Sequence, residues 1–459
     1  MKRAGDGMMC LRAHAPRRGR NDVNSCRCRA RGQEPDYTAT ICPAFDRTPQ
    51  TRTTVPPSAS PASAVEYHHS VPTPIVPTRV TGITLPPFDP LNLRAAELRQ
   101  QGRHVISLGQ ALPFFPPPPT ALEAARTALD RPEVHRYSTD PGLLSLRQVL
   151  AERLGSTVRA ALGPEDLIIT AGANHAFTLA LMTLVNPGDE VILPAPYFTN
   201  HQMAVAALGA IPREAPVADR SQFTVRWSDI EPHVTRSTKA VVLCTPSNPT
   251  GATIGAKEGT RIVSALAERG IVAISDETYM SFVHDGESWS AASVDGWRRN
   301  VVVVGTFSKC FAMMGWRVGF LLGDDAVCEQ AVKLQDAMII CAPVVSQMAV
   351  EGAVRSSWSY ASTFRDDFLT RRRIMHEAVG AISRLQWTAT PGGLFAFVRV
   401  DGCSDSDALA HQLLEQVGVI TIPGAAFGTS GEGHLRLSYG YASLQELAEA
   451  MERLSRFFA

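Results

Sequence analysis

Lys309 closes the run Val301-Val302-Val303-Val304-Gly305-Thr306-Phe307-Ser308-Lys309. The chain has only 5 lysines among its 44 basic residues, so arginine serves wherever positive charge alone is required. A lysine at the end of an apolar run points to amine chemistry that a guanidinium does not do, such as Schiff-base formation. Thr306, Ser308 and Arg317 add two hydroxyls and a fork of donors, a set suited to a phosphate. Another apolar run leads into Ser275-Asp276-Glu277-Thr278-Tyr279. A carboxylate there is costly to bury alone, and Asp276 calls for a cationic partner, either a protein side chain or a ligand nitrogen. In Thr245-Pro246-Ser247-Asn248-Pro249-Thr250-Gly251 two prolines and a glycine hold a tight turn around Asn248. Phe198, in Pro194-Ala195-Pro196-Tyr197-Phe198, is either core or a face on which a planar ring stacks. Gly172-Ala173-Asn174 either seats an anion on free N–H groups or simply lets a turn pack.

These residues need a common scaffold. Leu167–Thr170, Glu190–Leu193, Ala240–Leu243, Ile271–Ile274 and Val301–Val304 are short apolar runs. Helix-like segments separate them, including His175–Val185 and Lys257–Arg269. Continuous Val/Ile runs alternating with helices predict an α/β fold around a mostly parallel sheet covered on both faces. In such sheets ligands bind beyond the carboxyl ends of the strands, where all the residues above fall. Phosphate donors, an aromatic face, an amide, a phenol, a carboxylate and an amine together fit pyridoxal 5'-phosphate. No P-loop, nucleophile elbow, zinc-protease helix or strand-linked dinucleotide fingerprint competes.

The 459 residues are 45% hydrophobic and 19% charged, an ordinary globular mix. Basic and acidic residues number 44 each, which argues against a protein built to coat nucleic acid. No stretch of apolar residues is long enough to predict a membrane span. Residues 1–80 are Arg-rich and then Thr/Pro/Ser-rich, and read as a disordered extension, a tail or an over-extended start. Asp6, Asp22, Glu34 and Asp36 count against a transit peptide. Cys10, Cys26, Cys28 and Cys42 match no common zinc spacing, and no metal is expected. An odd total of 9 cysteines without paired spacing argues for a reducing compartment, and the cytoplasm is the expected location.

From about residue 85 to the C-terminus the chain resembles the class I/II, fold-type I aminotransferases, of either the kynurenine/glutamine transaminase or the aspartate aminotransferase kind. The resemblance rests on Ser247-Asn248-Pro249-Thr250-Gly251, on Asp276-Glu277-Thr278-Tyr279, and on Phe307-Ser308-Lys309 with Arg317 following. Ile106–Pro113, Arg136-Tyr137-Ser138 and His434-Leu435-Arg436-Leu437-Ser438 extend it. It implies a large cofactor-binding domain at 118–345 and a small domain made of 85–117 and 346–459. It implies that Lys309 forms the Schiff base and then shuttles a proton, that Asp276 keeps the pyridine nitrogen protonated, and that Tyr279 and Asn248 bind the ring hydroxyl. Phe198 would stack on the ring. Ala173, Asn174, Thr306, Ser308, Arg317 and, from the second subunit of a homodimer, Tyr137 would hold the phosphate. Arg436 would clamp the substrate α-carboxylate, near Ala111 and Asn248.

Two positions depart from the pattern. Ala111 stands where kynurenine-type enzymes carry Gly. Asn174 stands where an aspartate-specific subgroup has Lys, so apolar or aromatic amino acids are the expected donors. The expected activity is transfer of an amino group from an L-amino acid to a 2-oxo acid. A lyase on the same scaffold, working by elimination or ring closure, is the alternative. A cofactor-binding transcription regulator is remote, because residues 1–80 carry no helix-turn-helix pattern.

Overall fold

The structure is a computed structural model and describes residues 75–459. The readings made for residues 1–74, the leader and its four cysteines among them, lie outside the described residues.

Seven strands form the main sheet: β1 (Leu167–Thr170), β2 (Glu190–Ala195), β3 (Ile211–Pro216), β4 (Thr238–Cys244), β5 (Val272–Asp276), β6 (Val301–Thr306) and β7 (Gly319–Leu322). Their order is β1-β7-β6-β5-β4-β2-β3. β7 is antiparallel to both β1 and β6, and all other pairings are parallel. Six strands therefore share one direction, and their carboxyl ends lie along one edge. The antiparallel β7 is not legible as such in the sequence. It follows β6 with only the single turn Phe307–Cys310 and a 3-10 segment between, too little for the helical crossover that a parallel return needs.

Alternation along the strands builds two core layers. Val301 and Val303 join Ile169, Val241, Leu243 and Ala273 on one face. Val302 and Val304 join Ile168, Val191, Leu193 and Ile274 on the other. Helices Ala173–Leu184 and Asp325–Ile339 cover the second face, and Leu144–Val158 and Ala256–Glu268 the first. The run Val301–Val304 is buried on both sides, which is why it reads as a continuous apolar stretch.

A second layer holds an antiparallel sheet of Ile422–Pro423, His434–Ser438, Phe395–Val400 and Leu385–Gln386, in that order. Ile106 and Leu108 pack into its core with helices Arg365–Gly380 and Leu444–Phe458. The last helix is fixed by a capping box, Ser443 with Glu446, and buries Leu447, Ala450, Met451, Leu454 and Phe458 on one stripe. Residue 346, the expected start of the late small-domain segment, falls inside helix Val344–Ser356. The buried Ala349, Val350, Ala353 and Val354 of that helix belong to the core of the main sheet.

Candidate active site

β6 delivers Thr306, whose Oγ1 caps the single turn Phe307–Cys310 by accepting the Ser308 N–H at 3.1 Å. The turn directs Lys309 back across the strand ends, and its Nζ donates to the Ala111 carbonyl at 2.9 Å. Burial, then the positive charges of Arg436 and Arg317, brings the Lys309 amine down to about 8. The unprotonated, nucleophilic form is therefore more accessible near neutral pH than in an ordinary lysine.

Asp276 ends β5 and is buried. Burial works against its charge. The hydrogen bond and charge of His201, and a 3.0 Å bond from the Thr278 N–H, nevertheless hold the carboxyl below the usual range. His201 Nε2 lies 3.0 Å from Asp276 Oδ2. The sequence called for a cationic partner for Asp276, a protein side chain or a ligand nitrogen, without identifying His201. The only local signal is that His201 sits on the first turn of helix Thr199–Ala207, which opens immediately beyond the end of β2. Phe198 precedes that helix and meets His201 edge-on at 5.4 Å.

Asn248 Oδ1 accepts from Arg436 Nη1 at 2.8 Å. The turn carrying Asn248 is rigid: the Gly251 N–H donates to Ser247 O at 2.7 Å, and at Gly251 (φ +74°) a Cβ would lie 2.3 Å from Gly392 O. Arg436 also donates through Nη2 to the Gly109 carbonyl and rests over Phe427 at 5.1 Å. Its buried Nε has no partner among the described residues. Burial brings its guanidinium down to about 10. Tyr279 is buried against Phe395, with ring centroids 5.4 Å apart, and burial raises its hydroxyl well above the usual phenol range.

Helix Ala173–Leu184 starts behind Gly172, which adopts φ 87° and ψ 172°. A Cβ there would lie 2.4 Å from Arg317 Nη2, so the missing side chain makes room for the guanidinium. Arg317 donates to Met314 O at 2.9 Å and Ala171 O at 3.3 Å. The first N–H groups of the helix, Ala173 and Asn174 among them, have no intrahelical acceptor.

Every candidate except Tyr137 lines a single cleft of about 400 Å³. Tyr137 is 76% exposed and takes no part in its own cleft. The residues suit pyridoxal phosphate. Free helix N–H groups, two hydroxyls and Arg317 match a phosphate. Asp276 offers a buried carboxylate to a ring nitrogen, and Lys309 a depressed amine.

Residues 103–454 match the aminotransferase class I and II family. The chain belongs to that family. It is 33% identical over 365 residues to an aromatic-amino-acid aminotransferase of Thermococcus litoralis, covering 78% of this chain and 93% of the relative. It is 33% identical over 359 residues to an aspartate aminotransferase of Pyrococcus abyssi, covering 77% and 92%. Among solved structures, the aspartate aminotransferase of Thermotoga maritima superposes with a TM-score of 0.77 at 28% identity, covering 83% of this chain and 99% of that one. The fold is that of the fold-type I enzymes, and the chain is a pyridoxal-phosphate-dependent aminotransferase.

The aminotransferase cleft also contains residues that the motifs did not point to. Phe88, Asp89 and Asn92 come from helix Phe88–Gln100, and Cys244 from the end of β4. Among the described residues no helix is long and apolar enough to cross a membrane.

Proposed function

We propose that this aminotransferase carries its reaction on Lys309, Asp276, Tyr279, Asn248 and Arg436, with the remaining candidates holding the cofactor. The observation that carries the reading is the convergence of a depressed amine, a His-supported buried carboxylate and a buried arginine in one cleft.

Bound pyridoxal phosphate supplies an electron sink for the pair released when the donor's Cα–H bond breaks. Asp276, kept ionised by His201, holds a proton on the ring nitrogen. Asn248 and Tyr279 would donate to the ring hydroxyl, and Phe198 would stack on the ring. Ala173 and Asn174 N–H groups, Thr306, Ser308 and Arg317 bind the phosphate, joined by Tyr137 of the partner subunit in a homodimer. The exposure of Tyr137 and its place outside its own cleft support that last assignment. Lys309 would hold the cofactor at rest and, once the donor's amine took its place, would carry the proton from the donor's Cα to C4′. Arg436 fixes the α-carboxylate, its charge-assisted bonds contributing about 1.5–3 kcal/mol each. Ala111 lies beside the same carboxylate and holds Lys309 through its carbonyl. Among the described residues the cysteines at 244, 310, 328, 341 and 403 form no disulfide with one another, which supports a reducing, cytoplasmic setting.

Single-turnover reaction with amino donors tests the reading. Loss of the visible cofactor band with one 2-oxo acid released, reversed by added 2-oxo acid, is the expected result. Release of ammonia with an unchanged band would replace transfer by elimination.

A further inference from the structure

The charged side chains lining the cleft are Asp89, Asp276, Lys309, Arg317 and Arg436. On the reading above, four of them have work. Asp276 faces His201 and the ring nitrogen, Lys309 carries the reaction, Arg317 serves the phosphate and Arg436 the α-carboxylate. Asp89 is left. It forms no hydrogen bond or ion pair with any described residue and is exposed in the first turn of helix Phe88–Gln100. Asn92, three positions on and thus on the same helix face, lines the cleft with it. The nearest arginine on that helix, Arg94, is not available to a substrate. It is bound to Glu415 through Nε and Nη2 and to Glu97 through Nη1. Among the described residues the cleft therefore has a spare anion and no spare cation.

We infer that Asp89 is a specificity-determining residue that selects amino donors with a basic side chain and rejects those with a second carboxylate. A second carboxylate entering beside Asp89 meets like charge and no counter-ion among the described residues, which costs affinity. An ammonium or guanidinium meets a solvated carboxylate, while Leu112, Met314 and Phe88 offer apolar surface to its methylene stem. The inference rests on the site assignment under Proposed function, because it is that assignment which leaves Asp89 unspent. It departs from the apolar or aromatic donors expected from the sequence, where Asp89 had no visible connection to the site.

Two measurements on the holoenzyme test it. The first needs no turnover: calorimetric binding of guanidinovalerate, hexanoate and adipate, carboxylates of similar length that lack an amino group. Guanidinovalerate is expected to bind most tightly and adipate most weakly, with the spread narrowing as salt is added. The second is the ratio of kcat/KM for arginine or lysine to that for glutamate in wild type, Asp89→Asn and Asp89→Lys. The ratio is expected to fall about fivefold in Asp89→Asn, the upper range for an exposed ion pair, and further in Asp89→Lys. Thermal denaturation of each variant checks that it is folded. Adipate binding as tightly as guanidinovalerate, or a ratio unmoved by both variants, overturns the inference and leaves aminotransfer intact. If no amino acid reacts at all, the site reading falls, and the binding order still decides whether Asp89 selects by charge.

Discussion

His201 Nε2 and Asp276 Oδ2 are 3.0 Å apart and both residues are buried, so each is the other's principal polar partner. The pair explains how a carboxylate at the end of an apolar strand stays charged. Burial alone raises a carboxyl, and the bonds from His201 and Thr278 more than reverse that.

Replacing His201 by Leu removes that support. Asp276 then titrates at higher pH, and the ionised form needed opposite a protonated ring nitrogen retreats in the same direction. The acid limb of the kcat–pH profile is expected to move up, and kcat to fall about ten- to a hundredfold, as for loss of a hydrogen bond to a buried charge. An acid limb that stays in place would show that His201 does not set the charge of Asp276.

Arg436→Lys keeps the charge and loses the fork that reaches Asn248 Oδ1 and Gly109 O. A point ammonium cannot replace planar bidentate binding. The expected result is a drop in kcat/KM of about ten- to a hundredfold, mostly as a higher KM because the carboxylate is held throughout the reaction. A loss confined to kcat would argue against substrate clamping.

Gly172→Ala puts a Cβ 2.4 Å from Arg317 Nη2 and imposes a side chain at φ 87°, ψ 172°. Backbone of this kind costs a non-glycine residue about 1–3 kcal/mol. The variant is expected to melt earlier and to bind cofactor more weakly, as Arg317 is displaced. Unchanged cofactor affinity would remove Arg317 from the phosphate site.

Lys309 carries a stability signature of its own. In the folded chain its amine titrates near 8, against an ordinary value of 10.5. The unfolded chain therefore binds more protons between those values, and stability rises with pH across that window. Below it the penalty is fully expressed, at most about 3 kcal/mol. Lys309→Met in the cofactor-free protein is expected to be more stable than wild type at neutral pH, with the gap closing as pH rises above 8. Denaturant titrations at several pH values measure it.

The meeting of Lys309, Asp276 and Asn248 in one cleft was legible because each stands just beyond an apolar run, and chain topology puts all such points on one sheet edge; Arg317 reaches that edge because it precedes the antiparallel β7. His201 and Asp89 were not legible, because tertiary packing alone brings each to the site. His201 lies on the helix that follows β2 and meets Asp276 at the end of β5 from 75 residues away, and Asp89 reaches the cleft only through the packing of an early helix near Arg436. Two core layers and the helical cover followed from alternation and periodicity. The reversal at β7 did not, because a short apolar strand carries no mark of its direction.

Of all the residues that face the cofactor, Lys309 alone is expected to bond to it covalently. Borohydride reduction of the holoenzyme followed by peptide mass mapping tests it most directly, since the chain has only 5 lysines. A single pyridoxyl mass increment on the peptide containing Lys309, absent from Lys309→Ala, is the predicted result. An increment on the peptides of Lys2, Lys239, Lys257 or Lys333, or none on that of Lys309, would contradict it.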